Sequence, residues 1–245
     1  MAFGGARMKV ALITGANKGI GLEIARQLAV QGCTVLIGAR DEQRGEDAAR
    51  QLRAQGLDAR FIQLDVTNMH TVEEAAREIE HRFGKLNILV NNAAIAQDTV
   101  PPSQLDLDVL RRTYDTNVFG VVAVTQVMLP LLHKSDAGRI VNMSSGLGSL
   151  TQTSNPDWGF AHVNLLAYNS SKTAINAITV QFATELRNTP IKVNAADPGY
   201  VATDLNQNRG HRTVEQGATT PVRLALLPAD GPTAGYFNDD GPVPW

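Results

Sequence analysis

Val10-Ala11-Leu12-Ile13-Thr14-Gly15-Ala16-Asn17-Lys18-Gly19-Ile20-Gly21 is the stretch on which the fold turns. Four consecutive apolar residues, too few for a buried helix, read as a strand covered on both faces. Ile20, Ile24 and Leu28, recurring every fourth residue, read as the helix that follows. Between them lies a glycine turn, through which backbone N–H groups and the positive helix end can approach a pyrophosphate with no Cβ in the way. The spacing alone is weak, because 21 glycines in 245 residues produce Gly-x-x-x-Gly-x-Gly by chance roughly 0.15 times. Its place after a strand and before a helix gives it weight against the alternative, a plain tight turn.

The same unit repeats outward. Short apolar runs at Thr34–Ile37, Arg60–Leu64, Ile88–Val90, Arg139–Val141 and Ile191–Val193 alternate with segments of helical period. This is the pattern of an α/β fold: a doubly wound parallel sheet of Rossmann type, with helices on both faces. Val72, Ala76, Ile79 and Phe83 mark one such helix, which a Thr71-x-x-Glu74 capping box is expected to open. Residues 120–132 read as a buried helix, too short and too polar to span a membrane. After Asn206 the chain is expected to form a loop, a helix over Glu215–Leu227 and a last strand at Ala234–Phe237, making about seven strands. No repeat or linker breaks the alternation, so residues 8–245 are expected to be a single domain, with residues 1–7 a flexible lead-in.

Composition excludes several classes. Hydrophobic residues make up 43% and charged residues 19%, ordinary for a packed globular chain. The net charge of −2 offers no basic excess for nucleic acid. Cys33 is the one cysteine, so no intramolecular disulfide forms, and a reduced, cytoplasmic setting without a membrane is expected. The five histidines lack metal-ligand spacing, so no metal is expected.

Three further elements carry chemistry. The second strand ends Gly38-Ala39-Arg40-Asp41, with Ala39 where dinucleotide folds commonly place the acid that binds the adenosine ribose. Arg40 and Lys18 are two cations able to converge on a 2′-phosphate, which favours NADP over NAD. The alternative is a pair of solvated surface charges, with Asp41 available to pair with either. Tyr168-Asn169-Ser170-Ser171-Lys172 puts a phenol and an ammonium on one helix face, where the cation would stabilise phenolate and bring the phenol toward working pH. Read alone, an exposed i,i+4 pair is the plainer explanation. Ser144 and Ser145 end the fifth strand at the carboxyl edge where such sheets bind ligands, though serines before glycine also simply form loops.

Taken jointly and in order, these pieces resemble the single-domain short-chain dehydrogenase/reductases from Val10 to the C-terminus. The matching residues are Thr14 to Gly21, Asp65-Val66, Asn91-Asn92-Ala93, Asn117 in Thr116-Asn117-Val118, Ser145 with Gly148, Tyr168 with Lys172, and Pro198-Gly199. TGANKGIG, GARDEQRG and the tail ending GPVPW are most similar to the carbonyl-reductase branch, which reduces ketones and aldehydes with NADPH. The resemblance implies Asn117, Ser145, Tyr168 and Lys172 as the catalytic set. Tyr168 would give the proton and Ser145 would orient the carbonyl. Lys172 would bind the nicotinamide ribose and lower the Tyr168 pKa, and Asn117 would hold a relay water. It further implies cofactor contacts from Gly15, Asn17, Lys18, Gly19, Ile20, Gly21, Arg40, Asp65, Val66, Asn91, Ala93, Pro198, Gly199, Val201 and Thr203. Substrate contacts would come from Ser145, Tyr168 and Tyr200.

Two departures stand out. Ala94 replaces the family's glycine after Asn91-Asn92-Ala93, adding a methyl beside the expected cofactor. Between Ser145 and Tyr168 lie 22 residues, an insertion of intermediate length whose Trp158 and Phe160 are expected either to wall the substrate site or to pack on the protein's own surface. Relatives pair through the helices carrying Asn117 and Tyr168, so a dimer or tetramer is expected, with a monomer left open by the insertion. The competing readings are a nucleotide-binding sensor without turnover and, within the branch, a reductase of conjugated double bonds.

Overall fold

In the computed structural model, which describes residues 9–245, one eight-stranded sheet runs in the order β3-β2-β1-β4-β5-β6-β7-β8. The strands are β1 (Val10–Thr14), β2 (Thr34–Ala39), β3 (Ala59–Gln63), β4 (Ile88–Asn91), β5 (Arg139–Met143), β6 (Lys192–Ala196), β7 (Tyr236–Asn238) and β8 (Gly241–Pro242). All pairs are parallel except β7 with β8. The expected lead-in at residues 1–7, and Met8, lie outside the described residues. The order reverses between β1 and β4, and a crevice opens at the carboxyl ends of strands at such a switch point.

Along β1, side chains alternate between the two faces. Ala11 and Ile13 meet α1 (Gly19–Val30), α2 (Glu42–Arg53) and α8 (Val214–Ala225) through Ile24, Leu28, Leu52 and Leu224. Val10 and Leu12 meet α3 (Met69–Phe83), α5 (Gly120–His133) and the end of α7 (Leu166–Glu185) through Val72, Ile79, Val124, Met128 and Ala183. Every residue of β1, β2 and β5 is buried, which explains the apolar runs of β1 and β2, while β5 buries Arg139 and Asn142 along with its apolar residues. Each fully buried Leu or Ile contributes about 1.5–3 kcal/mol.

The expected α/β architecture is present, with three local corrections. The N-cap of α3 is Asn68, whose side chain accepts from the His70 N–H. Thr71 sits inside the first turn instead, its hydroxyl donating to the carbonyls of Asp65 and Asn68, so Thr71 and Glu74 form no capping box. The final strand is β7, two residues later at its start than the sequence suggested, because Ala234 has φ +60 and turns the chain before pairing begins. The extra strand β8 is a two-residue return whose turn is held by Asn238 Oδ1, which accepts from Asp240 and Gly241. No apolar period can signal so short an element.

Helix α4 (Leu107–Tyr114), a π turn (Asp115–Phe119) and α5 form one helical stretch, Leu107–His133, and the one-turn helix α6 (Leu150–Thr153) lies between β5 and α7. By length and composition it could cross a membrane, but half of its most apolar window is buried within the protein, as residues 120–132 were expected to be.

Candidate active site

Above the switch point lies a groove of about 680 Å³. One wall is the turn after β1, where Gly15 has φ +63 and lies so close to Ala93 that an added Cβ would come 2.9 Å from the Ala93 Cα. Only glycine fits there. The turn is locked from the neighbouring strand by Asn92, whose amide donates to the carbonyls of Thr14 and Gly15 at 2.9 and 3.2 Å. Thr14 Oγ1 in return accepts from the N–H groups of Asn92 and Ala93. Helix α1 begins here with no side-chain cap and no acid in its first turn, so its first N–H groups face the groove free for an anion. That donor set fits the pyrophosphate of a dinucleotide.

Most residues implied as cofactor contacts border this groove: Gly15, Asn17 to Gly21, Arg40, Asp65, Val66, Ala93, Tyr168, Lys172, Pro198 and Thr203. Asn91, Gly199 and Val201 do not. The Asn91 side chain points into the interior, donating to Thr125 and Asn142, and it is Asn92 that faces the turn. Val201 is buried against Gly217 of α8. Ala94 lies outside the left-handed region, so its backbone does not need the family's glycine.

At the adenosine end Lys18 and Arg40 both line the groove, but Lys18 is already paired. Its Nζ meets Asp204 Oδ2 at 2.6 Å, the two side chains being well exposed. Asp41 caps α2 and pairs with Arg44 rather than with either cation. Arg44 itself stands beside Lys18 at the adjoining surface, a third cation that the sequence reading did not single out.

The far end holds the reactive side chains. Ser144 and Ser145 follow β5, and the structure separates them: Ser144 Oγ donates to Asn176 Oδ1 at 2.6 Å, turned into α7, whereas Ser145 stands near the Tyr168 hydroxyl and favours its ionised form. Tyr168 and Lys172 share one face of α7 as expected. The N-terminus of that helix is capped by Asp98, whose two oxygens accept the N–H groups of Ala167 and Tyr168 at 2.7 and 3.2 Å. Asp98 is a positioning residue missed in the sequence, because the cap comes from a loop some seventy positions away.

The expectation that Lys172 lowers the Tyr168 pKa is not met by this geometry. Lys172, only 4% exposed, donates from Nζ to the Met143 carbonyl at 2.7 Å and lies 5.5 Å from the Tyr168 ring centroid. Burial dominates both groups, pushing Tyr168 up to about 12 and Lys172 down to about 8. The phenol is thereby held protonated, as a proton donor requires.

Asn117 lies in the π turn with its amide fully engaged. It accepts from Ile95 N–H at 2.8 Å and donates to the Ile95 carbonyl and to Ser171 Oγ, and Ser171 in turn donates to the Tyr168 carbonyl. The Asn117 side chain therefore ties the β4 loop to the Tyr168 helix rather than reaching Lys172. Trp158, beside Gly146, forms with Phe160, Tyr200 and His211 a chain of edge-to-face rings with centroids 5.5, 5.8 and 5.9 Å apart, and Tyr200, implied as a substrate contact, does not border the groove. The insertion is thereby bound to the segment after Pro198. The described residues hold no group of three or more potential metal ligands.

Comparison with known proteins is consistent with this arrangement. The family model described as short chain dehydrogenase matches residues 9–213. The chain is 35% identical to short-chain dehydrogenase/reductase 1 of Saponaria officinalis over 98% of its own length and 97% of that protein's. It is 36% identical to carbonyl reductase (NADPH) 3 of Rattus norvegicus, covering 91% of this chain and 92% of that one. The structure of NADPH-bound carbonyl reductase from chicken fatty liver superposes with a TM-score of 0.86 at 27% identity, covering 98% of this chain and all of that one.

Proposed function

Since the chain belongs to the short-chain dehydrogenase family of oxidoreductases, we propose that it is an NADPH-dependent reductase of ketone or aldehyde carbonyls. The observation that carries this reading is the convergence of Ser145, Tyr168 and Lys172 at the end of a groove whose opposite end offers uncapped helix N–H groups and the cations Lys18 and Arg40. NADPH bound there supplies the hydride. The remaining work belongs to the chain. Tyr168, kept protonated by burial, gives its proton to the carbonyl oxygen as negative charge develops. Ser145 donates a second hydrogen bond to that oxygen and fixes its direction, which stabilises the same charge. Lys172, charged below its pKa of about 8, would hold the cofactor's ribose.

The test is oxidation of NADPH, and separately NADH, against a panel of ketones, aldehydes, diketones and quinones. Tyr168→Phe should leave NADPH affinity nearly intact while turnover falls by roughly 10²–10⁴-fold. Undiminished turnover in the variant overturns the role of Tyr168. Tight NADPH binding with no turnover on any carbonyl favours the sensor instead.

A further inference from the structure

One half-buried acid near the reactive tyrosine has no part in the mechanism above. Asp197 follows β6, immediately before the Pro198–Gly199 turn, and its backbone N–H donates to the Phe237 carbonyl of β7 at 2.8 Å. Its Oδ1 accepts from the Gly199 N–H at 2.9 Å, fixing a turn in which Gly199 has φ +73. Its other oxygen, Oδ2, lies against Gly146, the residue after Ser145, 3.3 Å from where a Gly146 Cβ would be. The charged and titratable groups that face it are Arg212, which pairs with Asp239, then Asp239 itself, Tyr168 and Tyr236.

One carboxylate therefore joins two segments that must keep register: the Ser145 backbone after β5 and the turn after β6. Ser145 Oγ is held locally only by a 3.3 Å bond from the Leu147 N–H, so the position of Gly146 decides where that hydroxyl points. We propose that Asp197 is a positioning residue of the reductase site, which holds Gly146 against Gly199 to aim Ser145 at Tyr168 and the substrate oxygen. Its charge bears on Tyr168 as well: a nearby carboxylate disfavours phenolate, and Asp197 acts on Tyr168 in that direction, while burial raises the carboxyl's own pKa. The inference rests on the reductase reading for what Ser145 and Tyr168 do, but not for the contacts themselves.

Asp197→Asn keeps the shape, removes the charge, and replaces one acceptor oxygen by an amide. Two readouts are taken in parallel. The first is kcat and KM for carbonyl reduction, with melting temperature and NADPH affinity as controls. The second, independent of turnover, is ultraviolet difference titration of the Tyr168 phenol in the NADP⁺ complex, wild type against Tyr168→Phe, repeated in the Asp197→Asn background. The expected result is a kcat about ten-fold or more lower with KM changing less, and a phenol titration moved down by about half a pH unit or more. Asp197→Glu keeps the charge but lengthens the side chain, so it should lower kcat while leaving the titration where it is. That variant decides the matter if Asp197→Asn fails to fold. Unchanged kcat and titration in Asp197→Asn overturn the proposal. So does a loss of kcat that only follows lost melting temperature and cofactor affinity, with the titration unmoved. If the wild type reduces no carbonyl, the reductase reading fails, and the titration alone still judges the charge of Asp197.

Discussion

Lys18 and Arg40 enter the groove from two different turns, and they are not equivalent. Lys18 spends its charge on Asp204 at 2.6 Å, whereas Arg40 has no acidic partner among the described residues. An exposed pair of this kind holds weakly, so a phosphate can still compete for Lys18. Arg40 is the more decisive of the two. Arg40→Asp should weaken NADPH binding on the order of 10²-fold while NADH changes several-fold or less, because only the former brings a 2′-phosphate to the reversed charge. Fluorescence titration with each cofactor measures this, and equal losses would refute the assignment. Lys172 sets the pH dependence. Its charge is present below about 8 and is lost as pH rises through that value, so kcat/KM for NADPH should be level on the neutral side and decline there. Tyr168, held near 12, stays protonated throughout that range. A profile level well beyond pH 8 would remove Lys172 from its role. At this scale the residue types of the site were legible because Tyr-x-x-x-Lys and the glycine turn are local in sequence. Asp98 and Asn92 were not legible, because each acts on an atom far away along the chain.

Among the elements, β5 carries the least expected load. It delivers Ser144 and Ser145 to the site at one end, and at the other Arg139, 3% exposed, reaches backbone carbonyls and no acid. Its guanidinium donates to Gly138, Pro190, Leu227 and Pro228, tying the approaches to β6 and the exit of α8 to the sheet. Arg139→Met would leave those carbonyls unsatisfied in place and cost about 2–4 kcal/mol. Melting should fall by roughly 5–15 °C in calorimetry, and a variant melting within a degree or two of wild type would show water to replace the arginine without loss. The pattern of elements was readable because strands covered on both faces are uninterruptedly apolar and helices keep their period of 3.6. Boundaries failed where tertiary contacts replaced local signals. Asn68 took the cap of α3 from Thr71 because Thr71 was drawn to the carbonyls of Asp65 and Asn68, and β8 exists only because β7 offers it an edge.

For the molecule as a whole, α4, the π turn and the start of α7 leave Leu107, Phe119 and Leu166 at 60%, 61% and 38% exposure on neighbouring elements. Exposed large apolar side chains favour association. Light scattering at micromolar protein should give the mass of a dimer or tetramer, and Phe119→Asp should shift it toward the monomer. A monomeric wild type would show that the insertion closes this side. What the sequence by itself determined is the alternation of strands and helices, the glycine turn and the reactive side chains with their order, since all depend on period and near neighbours. Only the tertiary structure decided that Ser144 turns to Asn176, that Lys18 is paired across the groove, that the four rings bind the insertion to the far loop, and that Asp197 faces the site. The physical reason is common to all four. Each is a contact between side chains whose separation in space is set by how the sheet brings the carboxyl ends of β1, β4, β5 and β6 together, and no local preference encodes that meeting.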